Sequence, residues 1–195
     1  MLGLIDYGLG NMFSLKNSLS FIGAEYKIVK TPDDAEGLSR LILPGVGAFP
    51  DGVAKLKNSG LFGFLQNDYK DNLLGICLGE QLLFEESEEF SLTKGLGLIP
   101  GSVTKIKAEG LKIPHIGWNK LSVTAEDSVV SGSDGAFVYF VHSFAAVTED
   151  KYITSFTDYG GQTVASAKNG KTQGTQFHPE KSGEAGLNIL RKFLA

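Results

Sequence analysis

Residues 1–87 alternate between short apolar runs and segments with helical periodicity, and this alternation constrains the fold more than any other feature. The apolar runs are LGLID (2–6), YKIVKT (26–31), RLILPG (40–45) and NLLGI (72–76). Short apolar runs bounded by turn residues are typical of buried strands. Strands that alternate with helices are typical of a parallel sheet, so the sequence predicts parallel strands with right-handed connections.

Three helices are predicted between and after these strands. In the first, Asn11 is placed to cap the N-terminus and Gly23 to end the helix. Its predicted buried face consists of Phe13, Leu15, Leu19 and Ile22. The second helix spans 51–70 with a break near Gly60, and the third covers LGEQLLFEES (78–87).

The second half of the chain changes to strands with few helices between them. The predicted strands are SVTKIKA (102–108), NKLSVTA (119–125), AFVYFVHSF (136–144), YITSFTD (152–158), QTVASAKNG (162–170) and TQGTQFHP (172–179). KNGK (168–171) predicts a hairpin turn. A last helix is predicted to begin after Ser182, its expected N-cap, with Leu187, Leu190 and Leu194 as its buried stripe and Ile189 and Phe193 alongside. We therefore expect one α/β domain over 1–195, with a mixed sheet, parallel first and antiparallel later, flanked by helices.

Composition narrows the possible functions. The 195 residues are 42% hydrophobic and 21% charged, with a net charge of −4 and no basic tract, which argues against nucleic-acid partners. No apolar run is long enough to span a membrane, and Asp6 interrupts the apolar start, which argues against a signal peptide. The single cysteine cannot form an internal disulfide, so we expect a reducing, cytoplasmic location.

That cysteine, Cys77, lies in the motif GICLG (75–79), which has the pattern of a nucleophile elbow with cysteine in the serine position. Such a turn lifts the nucleophile above the sheet edge, where a following helix N-terminus stabilises a thiolate. The N–H of Leu78 would then point towards a developing oxyanion. A buried structural cysteine is the alternative that this motif alone leaves open.

A nucleophilic thiol needs a base that is oriented by a third group. His178 ends a predicted strand and Glu180 follows two residues later, so the turn at Pro179 can present both on one side. A plain surface turn is the competing interpretation. His115 and His142 have apolar neighbours, which favours core or pocket-wall positions.

The glycine-rich turn LPGVGAF (43–49) can supply further oxyanion donors, since glycine allows close backbone approach. It lacks the spacing of a phosphate-binding loop, and GLGNMF (8–13) has Phe13 where a dinucleotide fingerprint needs glycine. No ligand spacing typical of metals is present. The sequence therefore predicts no cofactor and no metal.

The chain resembles the class I (triad) glutamine amidotransferases. The resemblance is carried by three motifs in this order and in a chain of this length: PGVGAF, GICLGxQ and QFHPEKS. Within that class, four further motifs resemble those of the glutaminase subunits of imidazole glycerol phosphate synthase, a histidine-biosynthesis enzyme. These motifs are IDYGLGN, GLGLIPG, KIPHIGWN and YFVHSF. The resemblance runs from residue 3 to the last helix.

The resemblance implies that Cys77 attacks the side-chain amide of L-glutamine, that His178 moves the protons and that Glu180 orients His178. It implies oxyanion donors at Gly47 and Leu78, the former after a flip of the 44–47 loop. The implied glutamine-binding residues are Gln81, His142, Ser143 and Phe144. The implied partner-facing and ammonia-exit residues are Asn11, Trp118, Tyr139 and Lys181. The implied partner in a heterodimer is a (β/α)-barrel cyclase subunit, for which a chain of 195 residues leaves no room.

Two positions depart from the family pattern: Glu80 stands where methionine is usual, and Phe144 where tyrosine is common. An ionised carboxylate near the sulfur would oppose thiolate formation. Alternatively, Glu80 is tolerated variation that points away from the sulfur. Three other functions stay open: a paralogous subunit feeding another synthase, a cysteine hydrolase or deglycase of flavodoxin-like type, and a catalytically weakened interaction subunit.

Overall fold

A computed structural model describes all 195 residues. The first half contains β1 (Leu2–Ile5), α1 (Met12–Phe21), β2 (Tyr26–Val29), β3 (Arg40–Gly45), α2 (Phe49–Asn58), α3 (Leu61–Gly63), β4 (Asn72–Cys77), α4 (Leu78–Gln81) and β5 (Phe84–Ser87). The second half contains β6 (Thr93–Lys94), β7 (Ile99–Lys105), β8 (His115–Lys120), β9 (Ser122–Val123), β10 (Phe137–His142), β11 (Phe144–Val147), β12 (Ile153–Asp158), β13 (Gln162–Asn169), β14 (Thr172–Thr175) and α5 (Gly183–Leu194).

The main sheet has eight strands in the order β2-β1-β3-β4-β14-β13-β12-β9. The pairs among β2, β1, β3, β4 and β14 are parallel, and those from β14 to β9 are antiparallel. The mixed sheet predicted from the sequence is therefore confirmed. The hairpin turn between β13 and β14 is confirmed as well, with Gly170 at φ 59°.

Strands β3, β4 and β14 bring three distant segments to one edge. In the register of the sheet, Gly45 lies opposite Cys77, and Thr175 lies opposite Ile76. The chain segments that leave these strands therefore start side by side at the carboxyl edge. This edge is where ligands bind in open α/β sheets.

Not every strand of the second half joins the main sheet. One smaller sheet has the order β11-β7-β5-β6, and β10 pairs with β8 in a separate two-stranded ribbon. The predicted helix over 78–87 is wrong beyond its first turn, because α4 ends at Gln81 and Phe84–Ser87 form β5. β5 pairs in parallel with β7, a long-range contact that overrides the local helical periodicity.

Apolar cores lie on both faces of the main sheet, because successive strand residues point to opposite sides. On β3, Leu41 and Leu43 enter one core, whereas Ile42 enters the other. Helix α2 packs in the first core, and helices α1 and α5 pack in the second. No helix of the structure is both long enough and apolar enough to cross a membrane.

The helix predictions need three corrections. Phe13 was expected on the buried face of α1 but is 76% exposed, while Leu15 and Leu19 are buried. In α5, Leu187 and Leu194 are only partly buried, and the buried stripe is Gly186, Ile189, Leu190 and Phe193. Ser182 makes no capping hydrogen bond to α5, because its hydroxyl donates to His178 O at 2.6 Å and accepts from Tyr139 N at 3.0 Å. The break near Gly60, where φ is 76°, is confirmed.

Candidate active site

Cys77 occupies a sharp turn between β4 and α4. Its backbone has φ 55° and ψ −111°, a conformation that non-glycine residues rarely adopt. A side chain on Gly79 would place its Cβ 1.8 Å from Leu43 O, and one on Gly75 would come within 2.6 Å of Gly79 O. Both glycines are therefore required sterically, which explains the GxCxG spacing.

Helix α4 has only four residues, so it contributes less to thiolate stabilisation than the sequence analysis expected. The environment of the sulfur must come mainly from side chains. Leu78 is the first residue of α4, a position whose N–H has no partner within the helix.

His178 and Glu180 form a buried pair beside Cys77. His178 Nδ1 lies 2.8 Å from Glu180 Oε1, and the two side chains are only 2% and 3% exposed. Nε2 has no hydrogen-bond partner of good geometry within the protein, and it is the nitrogen left to face the sulfur. Burial lowers the pKa of His178, but its interactions with Cys77 and Glu180 outweigh burial and raise the pKa to about 10. This arrangement favours imidazolium next to the thiol.

The histidine pair is fixed by the backbone around it. His178 N donates to Tyr139 O at 2.9 Å, and its carbonyl accepts from the Ser182 hydroxyl. Pro179 begins a single 3₁₀ turn over Pro179–Lys181, which returns Glu180 towards the imidazole. The plain surface turn considered for HPE is therefore wrong, since His178 and Glu180 are buried together.

A cavity of about 310 Å³ opens at Cys77. Its walls contain Gly47, Cys77, Leu78, Gln81, His142, Ser143, Phe144 and His178, together with Val46, Glu89, Pro114 and Val141. Gly47 has φ 109°, and the N–H groups of Val46 and Gly47 make no hydrogen bond within the protein. The loop after β3 thus carries unused donors into the same space as the thiol.

The polar atoms of the far wall are held in one network. Gln81 Nε2 donates to Phe144 O at 3.0 Å and to Gln176 Oε1 at 2.9 Å. Both amide hydrogens of Gln81 are therefore used, so its Oε1 is the atom available to a ligand. His142 Nδ1 donates to Phe144 O at 2.9 Å, and its Nε2 lies 3.0 Å from His115 Nδ1.

Both of these histidines are neutral, and His142 lines the cavity. Burial lowers the pKa of His115 and of His142 to about 4 in each case. His142 can then accept a hydrogen bond from His115 while it donates to the Phe144 carbonyl. The expectation of core or pocket-wall histidines agrees with these positions.

Glu80 does not reach the cavity. Its side chain is completely buried, neither carboxyl oxygen has a hydrogen-bond partner, and it packs against Gly174 of β14. A Cβ on Gly174 would lie 2.3 Å from Glu80 Cγ, so this glycine makes the room for it. Burial, and next the charge of Cys77, raise the pKa of Glu80 well above its usual range. The protonated form is favoured, and a neutral carboxyl does not oppose the thiolate as an ionised one would.

Three of the four predicted partner-facing residues form one cluster next to the triad. Trp118 and Tyr139 lie opposite each other on β8 and β10 with ring centroids 6.2 Å apart, and Lys181 Nζ is 5.6 Å from the Tyr139 ring centroid. Trp118 is 55% exposed, so the alternative of a packed core aromatic is wrong. Asn11, the fourth, lies elsewhere in the chain and caps α1, accepting a hydrogen bond from Ser14 N at 3.4 Å.

Two site residues were not predicted from the sequence. Glu89 lines the cavity, and its carboxylate accepts a 2.7 Å hydrogen bond from Phe49 N at the start of α2. Gln176 is completely buried and contacts the sulfur. Glu89 lies among the five glutamates of 80–89, where no spacing singles it out, and Gln176 was part of a matched motif without an assigned role.

The chain resembles known proteins over nearly its whole length. Residues 3–195 match the family model of class-I glutamine amidotransferases. Imidazole glycerol phosphate synthase subunit HisH of Bacillus cereus is 45% identical over 99% of this chain and 93% of that protein. The HisH subunit of Methanothermobacter thermautotrophicus is 43% identical over 100% and 98% respectively. The chloroplastic synthase hisHF of Arabidopsis thaliana is 45% identical over 98% of this chain, which spans only 33% of that longer protein.

Solved structures show the same fold at lower identity. A crystal structure of a glutamine amidotransferase superposes with a TM-score of 0.77 at 20% identity, covering 100% of this chain and 99% of that chain. A chain of PurLQS from Thermotoga maritima gives 0.73 at 21% identity, covering 99% and 96%. With a matching family model over nearly the whole sequence, the chain belongs to the class-I glutamine amidotransferase family, and within it to the group of the HisH subunits.

Proposed function

We propose that this protein is the glutaminase subunit of a cytoplasmic imidazole glycerol phosphate synthase. It hydrolyses L-glutamine to glutamate and ammonia and passes the ammonia to a cyclase subunit carried by another polypeptide. The cyclase then makes imidazole glycerol phosphate and aminoimidazole carboxamide ribotide in histidine biosynthesis. The observation that carries the proposal is the buried His178–Glu180 pair beside Cys77, with Cys77 and His178 both lining a cavity of about 310 Å³.

The residues divide the chemistry between them. The Cys77 thiolate attacks the amide carbon of glutamine, and the negative charge moves to the amide oxygen. The N–H groups of Leu78 and Gly47 receive that oxyanion, the latter after rotation of its loop. His178 imidazolium then protonates the departing nitrogen, which leaves as ammonia, and a glutamyl thioester remains on Cys77.

Water completes the cycle. Neutral His178 takes a proton from water, and the resulting hydroxide attacks the thioester carbon. Collapse of the second tetrahedral intermediate breaks the carbon–sulfur bond, which releases glutamate and restores the thiolate and imidazolium. Glu180 holds Nδ1 throughout and stabilises each imidazolium state.

The cavity wall fits the amino-acid end of the substrate. The Glu89 carboxylate suits an α-ammonium group, because charge-assisted hydrogen bonds are the strong ones. The free Oε1 of Gln81 can accept from a further N–H of the substrate, and the backbone of 142–144 closes the other side. No cofactor or metal takes part in these steps.

The deciding experiment measures glutamate release from glutamine with and without a cyclase barrel loaded with its ligand. We expect low basal release and strong stimulation by the loaded barrel. Cys77→Ala should abolish glutamate release, while its mixture with the cyclase still forms product from free ammonia. Stimulation by a different amidating synthase, and by no such cyclase, would instead identify a paralogous subunit.

A further inference from the structure

Gln176 connects the reactive sulfur to the wall of the glutamine cavity. It lies in the segment between β14 and His178 and is completely buried. Its backbone N–H donates to Ala165 O of β13 at 2.9 Å, which extends the strand pairing and anchors the residue. The position of its side chain is therefore set by the main sheet and does not depend on a mobile surface loop.

Both ends of the Gln176 amide are engaged. Nε2 lies 3.8 Å from Cys77 Sγ, within hydrogen-bonding distance for sulfur, and Oε1 accepts from Gln81 Nε2 at 2.9 Å. Gln81 in turn donates to Phe144 O. An unbroken chain of hydrogen bonds thus runs from the nucleophile to the cavity wall.

The direction of these bonds has a chemical consequence. Gln176 donates to the sulfur, because the atom next to Cys77 Sγ is Nε2, which has no acceptor lone pair, while Oε1 is turned to Gln81. A sulfur anion accepts a hydrogen bond more strongly than a neutral thiol does, so a fixed donor favours the anion. We propose that Gln176 is the donor that stabilises and orients the Cys77 thiolate, and that it couples the thiolate to the glutamine site through Gln81. This inference rests on the proposed glutaminase function and adds a residue to its mechanism.

Other ionisable groups also surround the sulfur. His178 and, behind it, Glu180 approach from the turn after β14, Glu80 lies on α4, and Tyr7 follows β1. Glu89 and the neutral His142 face the same cavity. These groups stay in place when Gln176 is replaced by methionine, so a change in the pH dependence of Cys77 alkylation in that variant reports the loss of the amide.

Two substitutions separate the two roles of the amide. Gln176→Met removes both the donor to sulfur and the acceptor for Gln81, at similar volume. Gln176→Glu keeps an acceptor for Gln81, but its ionised form cannot donate to the sulfur. The readouts are the pH dependence of Cys77 alkylation by iodoacetamide and the KM for glutamine in the presence of the loaded cyclase.

In Gln176→Met, we expect the midpoint of alkylation to move upwards by about one pH unit or more. In Gln176→Glu the added carboxylate raises the midpoint by charge repulsion as well, so this variant serves the comparison of KM values. The KM should rise several-fold in Gln176→Met and much less in Gln176→Glu. Ser155→Ala is the matched control, since Ser155 is also completely buried and hydrogen bonded, to Ser166 of β13. It should leave the alkylation profile and the KM unchanged even where it lowers stability.

An alkylation profile of folded Gln176→Met that superposes on that of the wild type would overturn the proposal. Independently of any variant, the side-chain amide signals of Gln176 in a ¹⁵N-labelled wild-type sample should shift with the same pH midpoint as alkylation. Side-chain amide signals of Gln176 that do not change with pH would also contradict the proposal. A wild-type protein that releases no glutamate with any synthase would instead contradict the proposed function, so the two failures are distinguishable.

Discussion

Glu80 is a carboxylic acid in surroundings that do not solvate it. Its carboxyl is completely buried, has no hydrogen-bond partner and fits only because residue 174 is glycine. Leaving a buried polar group unpaired costs about 1–3 kcal/mol in proteins. Glu80 therefore lowers the stability of the fold, and it makes no hydrogen bond to the nearby thiol of Cys77.

Glu80→Met should stabilise the protein, and the gain should increase with pH. Above the usual glutamate pKa the unfolded chain loses its proton, while the folded chain keeps it because burial raises the pKa of Glu80. The folded state then binds more protons, so wild-type stability falls by up to about 1.4 kcal/mol per pH unit until the folded carboxyl ionises. Urea unfolding of both proteins at pH 5 and pH 8 measures this difference.

The matched control is Glu36→Met, the same chemical change at an exposed position. It should show little effect at either pH. If Glu80→Met gave the same change in stability at pH 5 as at pH 8, the conclusion that folded Glu80 is protonated would be wrong.

Cys77 carries backbone strain that is separable from its chemistry. At φ 55° and ψ −111° alanine is strained and glycine is not, so Cys77→Gly should be more stable than Cys77→Ala by about 1 kcal/mol. Neither variant has a nucleophile, and the comparison isolates the backbone. Thermal and urea unfolding provide the measurement. The control is Ala54→Gly in α2, where glycine should be less stable than alanine by about 1 kcal/mol. If Cys77→Ala were more stable than Cys77→Gly by a similar amount, position 77 would not be strained.

At the scale of elements, the elbow depends on how closely α4 approaches β3. Gly79→Ala would place a methyl group 1.8 Å from Leu43 O, which no side-chain rotation relieves. We expect a loss of about 3 kcal/mol or more, in the range of severe core overpacking, together with loss of Cys77 reactivity. Urea unfolding and iodoacetamide alkylation test both effects.

Gly63→Ala in α3 is the control for this substitution. Gly63 has helical backbone angles, and an added Cβ meets nothing within 4 Å. A helical glycine replaced by alanine should gain about 0.5–1 kcal/mol. Equal effects at positions 63 and 79 would show that the close approach to β3 does not control the elbow.

At the scale of the whole molecule, an exposed apolar face adjoins the catalytic cavity. The ribbon of β8 and β10 exposes Ile116, Trp118 and Phe137, each more than half accessible, while Val141 on the same ribbon lines the cavity. Tyr139 and Lys181 join this face to the turn that holds His178 and Glu180. A partner that covers it would contact the elements that position the triad.

Trp118→Ala should weaken binding of the cyclase by more than about 10-fold, since exposed tryptophans at such faces commonly dominate binding energy. Isothermal titration calorimetry with the loaded barrel measures the affinity. Val147→Ala, at an exposed valine on the separate sheet of β11, should leave the affinity unchanged. If Trp118→Ala bound the cyclase with wild-type affinity, the cyclase would have to dock on another surface of the molecule.

Several elements could be predicted because their causes are local. The parallel strands follow from apolar runs, the break at Gly60 follows from a positive φ, and the need for glycine at position 75 follows from a steric clash with Gly79 O. Glycine at position 79 has a non-local cause, the approach of Leu43 O of β3. The failures have non-local causes. Residues 84–87 form a strand because β7 pairs with them, and Phe13 is exposed because no element covers that side of α1.

The amino-acid sequence by itself determined the mixed α/β architecture, the position of the elbow and the candidate residues Cys77, His178 and Glu180, because periodicity and motif spacing can be read over short distances. Only the tertiary structure decided that Gln176 reaches the sulfur, that Glu89 lines the cavity and that Glu80 is enclosed against Gly174. Each of these contacts depends on the register of β4 beside β14 or on the packing of loops across the sheet edge. Such pairings join residues far apart in the chain, and no local pattern encodes them.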